Sequence, residues 1–232
     1  MKIPKPRSVL VRLSTTSQVR QALLTRILDG TYKPGDRLKE LVLARELSVS
    51  QAPVREALRH LEAANIVEII PYKGARVRVV SDSELEQAYH VRARLEELAG
   101  ELAAGNFAGD TAILKEHAEA IRKATAKKDM RVYAEHDYAF HRAIIERSEN
   151  RVLLRLWEQL HFEVRTSMFI HRASTVLRRA VAVEQHFEIA DALSRGNSPE
   201  AGHLLRRHSE SAAEHLERHR CQHAAGEVTA EL

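Results

Sequence analysis

The sequence predicts a mainly α protein in two parts: a small basic unit of three helices and a β-hairpin, then an all-α bundle of six to seven helices. Three observations predict it. Ala, Leu, Glu and Arg recur throughout the 232 residues while aromatics make up only 5%, a helix-rich composition. Paired β-branched runs are confined to IVEIIPYKGARVRVVS, residues 66–81. Charge divides at the same place: residues 1–80 hold 15 Lys/Arg against 7 Asp/Glu, a net +8, and residues 81–232 hold 21 against 25, a net −4. A basic segment beside an acidic remainder suggests a polyanion binder joined to something else, although chance surface composition gives similar numbers.

In chain order, TSQVRQALLTRILD (16–29) carries a helical stripe of Val19, Leu23, Leu24, Ile27 and Leu28, stopped by Gly30 and a Pro34-Gly35 turn. A second helix over about 38–47 uses Leu38, Leu41, Leu43, Ala44 and Leu47. A short SVS link leads to a third, and 66–81 forms two strands around Pro71–Gly74. Ser81 and Glu84 make an S-x-x-E capping box that opens a long helix. Helices follow over about 82–104, 110–126, 130–147, 150–169, 174–195 and 199–220, the last opened by Ser198 as N-cap with Pro199 at the first position. The domains are therefore 10–80 and 81–222, with 223–232 a disordered tail. One cysteine, Cys221, permits no intrachain disulfide. No apolar run reaches the ~18–20 residues that span a bilayer, and the N-terminal VLV is too short for a signal peptide, so a cytoplasmic location is expected.

Helix, tight turn, helix is the arrangement that sets a second helix in the DNA major groove. In VSQAPVREALRHLE (49–62), Pro53 sits in the first turn, where no intrahelical hydrogen bond is lost. Ser50 and Gln51 lie at that end, Arg55 and Arg59 share one flank, and Val54, Leu58 and Leu61 form the buried side. The hairpin is a wing with Lys73 and Gly74 at its tip and Arg76 and Arg78 behind. The plain alternative is a winged module that binds protein.

The run from Gly30 to Val80 resembles the DNA-binding domain of the GntR family of bacterial transcription regulators: PG-x-x-L-x-E-x-x-LA, then L-x-V-S-x-x-PVREAL-x-x-L, then P-x-x-G. The resemblance implies a helix-turn-helix at about Glu40–Arg59. It puts Ser50, Gln51, Pro53, Arg55, Lys73 and Gly74 on DNA-contacting positions. Many relatives carry Arg where this chain has Gln51; Arg favours guanine and Gln adenine, so one base pair per half-site is expected to differ.

Twelve of the thirteen histidines lie after residue 80. Asp137 and His141 (DYAFH) are spaced i, i+4 and project from one helix face; His186 and His208 stand on two other helices. One carboxylate and three imidazoles suit Zn, Ni, Mn or Fe. His136, His161, His171, His203 and the i, i+4 pair His215/His219 compete on spacing alone. Residues 82–220 resemble the helical effector (FCD) domain of the FadR subfamily through V-R-x-x-L-E (Val91, Arg92, Leu95, Glu96), D-x-x-F-H with a later Asn150, Gln185-His186, and Arg207-His208. The resemblance implies metal ligation by Asp137, His141, His186 and His208, with an effector carboxylate beside the metal. Arg92 is the candidate clamp for that carboxylate and Arg165 a weaker one; for Arg92 the competing reading is an ion pair to Glu96.

The expected function is a metabolite-responsive regulator, a repressor rather than an enzyme. It binds a pseudo-palindromic operator as a homodimer and responds to a small organic acid held at a divalent metal. The alternatives are a sensor in which the metal is itself the signal, and a metallohydrolase with a DNA-binding head; the second lacks HExxH and any evident general base.

Overall fold

The computed structural model describes residues 13–71, 73–160 and 179–230. The chain separates into two compact units at Arg78/Val79, with Leu28–Gly30 grouped with the second. Among the described residues no helix is long and apolar enough to cross a membrane.

In the first unit α1 (Thr15–Leu28), α2 (Glu40–Glu46) and α3 (Gln51–Ala63) surround a core of Val19, Leu23, Ile27, Leu43, Val54, Leu58 and Leu61. The expected stripes of α1 and α3 are the buried faces. The second helix is shorter than expected. Leu38 is not in it but in a two-residue strand, β1 (Arg37–Leu38), and Leu41 faces solvent. The expected hairpin, β2 (Val67–Ile70) and β3 (Gly74–Val77), is thereby extended to three antiparallel strands in the order β1-β3-β2. β1 forms because Leu38, paired with Ala75, fills the sheet's inner face while Arg37 and Arg76 point out. Gly74 is not a tip residue but the first of β3. Its φ is +87°, and a Cβ there would stand 2.9 Å from the Leu38 carbonyl oxygen, so strand pairing itself demands glycine.

The α2–α3 turn is closed by Ser48 in the left-handed region (φ 54°) and by Val49 N–H donating to Ala44 O at 3.0 Å. Ser50 is the N-cap of α3, which places Pro53 third in the helix, where its missing N–H costs nothing.

The second unit comprises α4 (Asp82–Phe107), α5 (Ala112–Lys127), α6 (Met130–Arg147), α7 (Arg151–Gln159), α8 (Arg179–Ser194) and α9 (Ser198–Ala230). Side-chain caps set the starts. Ser81 Oγ accepts from Glu84 N–H, Asp129 Oδ1 from Val132 N–H, and Asn150 Oδ1 from the N–H groups of Val152 and Leu153. For α9 the cap is Asn197, not Ser198: Asn197 Oδ1 accepts from Glu200 N–H and its carbonyl takes the first helical bond, from Ala201 N–H. α9 also runs to Ala230, through the segment expected as a tail. That segment, HAAGEVTAEL, is rich in Ala and Glu and contains no proline. The later parts of the expected 150–169 helix and the first residues of the 174–195 helix lie outside the described residues, as do His161, Arg165 and His171.

Trp157, Phe140, Leu114, Ile121, Ile144 and Leu205 form the centre of this core. α4 and α9 pack almost backbone to backbone. A Cβ on Gly100 would lie 2.5 Å from Leu205 Cδ1, and one on Gly202 would lie 2.9 Å from the Glu97 carbonyl oxygen. Two glycines therefore bring α9 close enough for its side chains to reach the interior of α4.

Candidate metal centre and nucleic-acid interface

In the second unit α6 presents Asp137 and His141 one turn apart, α8 presents His186 and α9 presents His208. One donor atom from each lies within 4.8 Å of the others, and all four residues are buried. Ring centroids are 5.6 Å apart for His141 and His186, 5.1 Å for His141 and His208, and 4.5 Å for His186 and His208. Ligands bonded to one ion at roughly 2.1 Å stand roughly 3–4 Å apart, so small side-chain movements close this set on a cation.

Each imidazole has its Nδ1 turned to an acceptor. His186 Nδ1 is 2.6 Å from the Ala182 carbonyl oxygen, His208 Nδ1 is 2.9 Å from Gln185 Oε1, and His141 Nδ1 is 3.0 Å from Glu96 Oε2. The last is an electrostatic contact, out of line for a hydrogen bond. A proton on each Nδ1 leaves the three Nε2 lone pairs for the interior. His186 Nε2 then faces Asp137 Oδ1 at 3.3 Å, lone pair against lone pair, and both it and His141 Nε2 are buried without a hydrogen-bond partner among the described residues. Buried polar atoms are rarely left so; a proton or a cation has to lie between them.

The electrostatics keep these groups in their ligating forms. Burial lowers the pKa of His141, and burial together with His186 and His141 lowers that of His208 well below the ordinary value, so both rings are neutral. Burial pushes the Asp137 carboxyl up, but the neighbouring His186 and His141 rings and the Arg92 guanidinium outweigh it and lower its pKa.

Behind the cluster stands a residue that sequence reading treated only as a partner for Arg92. Glu96 accepts from Arg92 Nε at 2.6 Å, from the Trp157 indole N–H at 3.0 Å and from Ser209 Oγ at 2.8 Å, besides its contact with His141. Burial raises its pKa, yet Arg92 and then His141 hold it well below the usual carboxylate range. Arg92 thus makes the ion pair weighed against the clamp, and its guanidinium also lies 5.6 Å from the Tyr89 ring centroid. Gln185 and Ser209 were missed too. The available signal was adjacency, since each is the chain neighbour of a histidine of the cluster. Of the competing histidines, His203 is exposed and His136 sits with its Nδ1 3.0 Å from that of His117, away from the cluster.

In the first unit Ser50, Gln51, Arg55 and Arg59 are exposed on α3, Pro53 is half-buried beside them, and Lys73 is exposed in the β2–β3 turn. Arg55 is not free: it is bidentate to Glu40 of α2, with Nε–Oε2 3.0 Å and Nη2–Oε2 2.9 Å, and this bonding raises its pKa. Arg76 likewise pairs with Glu68 across the wing. Such solvated pairs are weakened by salt and solvent and compete poorly with a multiply charged anion.

Residues 15–77 match the family described as bacterial regulatory proteins, gntR family, and residues 87–211 match the FCD domain. The chain is 36% identical over 199 residues to the "Probable D-xylose utilization operon transcriptional repressor" of Paenarthrobacter nicotinovorans, covering 86% of this chain and 87% of that protein. It is 31% identical over 156 residues to the gluconate operon transcriptional repressor of Bacillus licheniformis, covering 67% and 64%. The solved structure of E. coli McbR/YncC superposes with a TM-score of 0.77 at 29% identity, over 90% of this chain and 100% of that one.

Proposed function

Because the chain belongs to the GntR family of transcriptional regulators, in its FCD-bearing FadR subfamily, we propose that it is a repressor controlled by a small organic acid bound at a divalent metal. Asp137, His141, His186 and His208 hold the metal. The proposed site of action is the cytoplasm, on a pseudo-palindromic operator bound by a homodimer whose two-fold symmetry matches that of the DNA.

The observation that carries the sensing half is the arrangement of three Nδ1 atoms against acceptors, with His186 Nε2 facing Asp137 and one donor atom of each of the four residues within 4.8 Å of the others. When bound, the metal supplies a Lewis-acidic point to which a carboxylate or hydroxy acid can attach. Gln185 fixes the tautomer of His208 by a hydrogen bond, and the charge of Glu96 beside His141 Nδ1 favours a proton on that nitrogen. Arg92, whose charge already reaches Asp137, adds to the field that draws an anion. The pairing with Glu96 redefines its role: a guanidinium with its Nε engaged contributes charge and a fixed position more than a freely closing clamp. The two repressors named for sugar or sugar-acid operons support an effector of that chemical class.

On the DNA side, Ser50, Gln51, Pro53, Arg55 and Arg59 form the groove-facing end and flank of α3, and Lys73 and Gly74 the wing. Arg55 exchanges Glu40 for DNA, while Gly74 is needed first by its own strand. An effector alters operator affinity only by the difference in its own affinity for the DNA-competent and incompetent arrangements.

The test joins two measurements on purified protein: mass spectrometry of co-purified metal and small molecules, and retardation of its own promoter fragment over a salt series. Bound metal with an organic acid, and a shift that weakens steeply with salt, are expected. A metal-loaded protein that shifts no promoter DNA, or shifts it independently of salt, defeats the reading.

A further inference from the structure

A second pair of imidazoles meets outside the four-residue cluster. His117 of α5 and His136 of α6 bring their Nδ1 atoms to 3.0 Å, with ring centroids 5.3 Å apart and the rings tilted by 50°. The helix hairpin fixes this meeting. α5 and α6 join at Lys128, left-handed at φ 57°, where Asp129 N–H donates to Ala124 O at 2.9 Å, so α6 folds straight back along α5. Consecutive residues of a helix point about 100° apart. His136 therefore turns to α5 while its neighbour Asp137 turns to the interior. Both rings of the pair are half-buried. Burial and the His136 ring lower the pKa of His117, which keeps that ring neutral and its lone pair available, although the exposed Glu116 carboxylate beside it acts the other way.

We propose that His117 and His136 form a second, outer metal site, a two-imidazole seat for a divalent ion of tetragonal preference, copper(II) before nickel(II). The spacing selects the ion. With bonds of about 2.0 Å, nitrogens 3.0 Å apart subtend roughly 95–100° at the metal, near the right angle of square or octahedral coordination. Tetrahedral zinc would hold them about 3.3 Å apart. Of the ions that accept imidazoles at right angles, copper(II) binds most tightly. Coordination uses both Nδ1 lone pairs, so each ring then carries its proton on Nε2. Among the described residues no third His, Cys, Asp or Glu joins the pair at ligating distance, and water or a small anion completes the coordination. The Glu116 carboxylate adds negative charge beside the seat. The competing account is a plain hydrogen bond, one ring donating from Nδ1 to the other. That bond demands unlike tautomers, and at half-exposed positions it gains little over bonds to water. The site is separate from the Asp137 cluster and stands or falls without the regulator reading.

The experiment is calorimetric titration of the full chain with copper(II) chloride, with metal-free thermal melts by circular dichroism as a check on folding. Wild type is expected to take up one copper equivalent that His117→Gln and His136→Gln both lose. Each substitution weakens that binding at least about a hundredfold, because the second ring no longer acts at its high effective concentration. The double variant should bind no worse than either single one, since the two rings act as a unit. His208→Ala, which disables the inner cluster, should keep the equivalent. Electron paramagnetic resonance of copper-loaded His208→Ala protein should show a tetragonal ion with two equatorial imidazole nitrogens. Wild-type copper binding in either single variant leaves only a hydrogen-bonded pair and overturns the proposal. Losses that add in the double variant mean independent surface rings, and loss of the equivalent in His208→Ala assigns the copper to the inner cluster; each overturns it equally.

Discussion

Removing the Glu96 carboxylate is the most demanding perturbation the second unit offers. Glu96→Ala leaves the buried Arg92 guanidinium without its 2.6 Å partner and the buried Trp157 indole N–H without its acceptor. Breaking a buried ion pair from one side costs about 3–5 kcal/mol, and an unsatisfied buried N–H about 1–3 kcal/mol. The losses share one residue and are not additive, so about 5 kcal/mol is expected, a large part of the ~5–15 kcal/mol that holds a domain together. Glu96→Gln retains an acceptor for Trp157 but not the charge, and should cost about 3 kcal/mol. Replacing both partners, Arg92→Met with Glu96→Met, strands no charge and should be less damaging than Glu96→Ala alone. Chemical denaturation of metal-free protein, following Trp157 fluorescence, reads the second unit. Wild-type stability in Glu96→Ala, within about 1 kcal/mol, would refute the claim that this carboxylate neutralises Arg92 and organises the centre.

Acid should weaken the same unit in two stages. His141 and His208 have folded pKa values below 6.5, so the unfolded chain binds more protons and stability falls as pH drops through and below 6.5. The depressed carboxyls of Glu96 and Asp137 add a second loss below about 4.5, visible as a falling melting temperature in metal-free buffer. His208→Ala should weaken metal binding at least about a hundredfold by calorimetry, and a chelator should lower the wild-type melting temperature but not the variant's, since saturation at 100 times Kd is worth about 2.7 kcal/mol. Gly202→Ala forces a Cβ to within 2.9 Å of the Glu97 carbonyl oxygen; overpacking of about 1–3 kcal/mol outweighs the ~1 kcal/mol helix-propensity gain, and metal affinity should fall with stability. Arg55→Ala should reduce operator affinity about ten- to a hundredfold in a retardation assay, and unchanged affinity would remove α3 from the groove.

Much of the fold was legible because local chemistry and tertiary packing agree. Ser81, Asp129 and Asn150 each stand immediately before an apolar-periodic run and each caps its helix. α9 shows the limit of the same signal. In GNSP both Asn197 and Ser198 are competent caps, and only the folded backbone shows that Asn197 holds the position, its Oδ1 accepting from Glu200 N–H. β1 could not be read at all, because two residues carry no period; Arg37-Leu38 is a strand only because β3 lies beside it. Leu41 misled for a related reason: in a seven-residue helix one misplaced leucine is a large share of the pattern.

The Asp/His₃ cluster was half legible. The i, i+4 spacing of Asp137 and His141 places two donors on one face, but nothing local distinguishes His186 and His208 from His203 or His136, and resemblance chose among them. What separates these residues physically is depth, and depth is set by α4 and α9, whose approach depends on Gly100 and Gly202. Glu96 was hidden by the same geometry. In sequence it is the i+4 neighbour of an arginine, an arrangement usually worth a few tenths of a kcal/mol on a solvated helix. Only when α7 supplies an indole N–H and α9 a serine hydroxyl from the far side does the pair become the ionised floor beneath His141. A buried carboxylate with three donors and a fourth ring in contact has no spare capacity to capture a ligand. If the proposed effector anion binds at this cluster, the place open to it is the Asp137 side of the imidazoles, where His186 Nε2 stands 3.3 Å from Asp137 Oδ1.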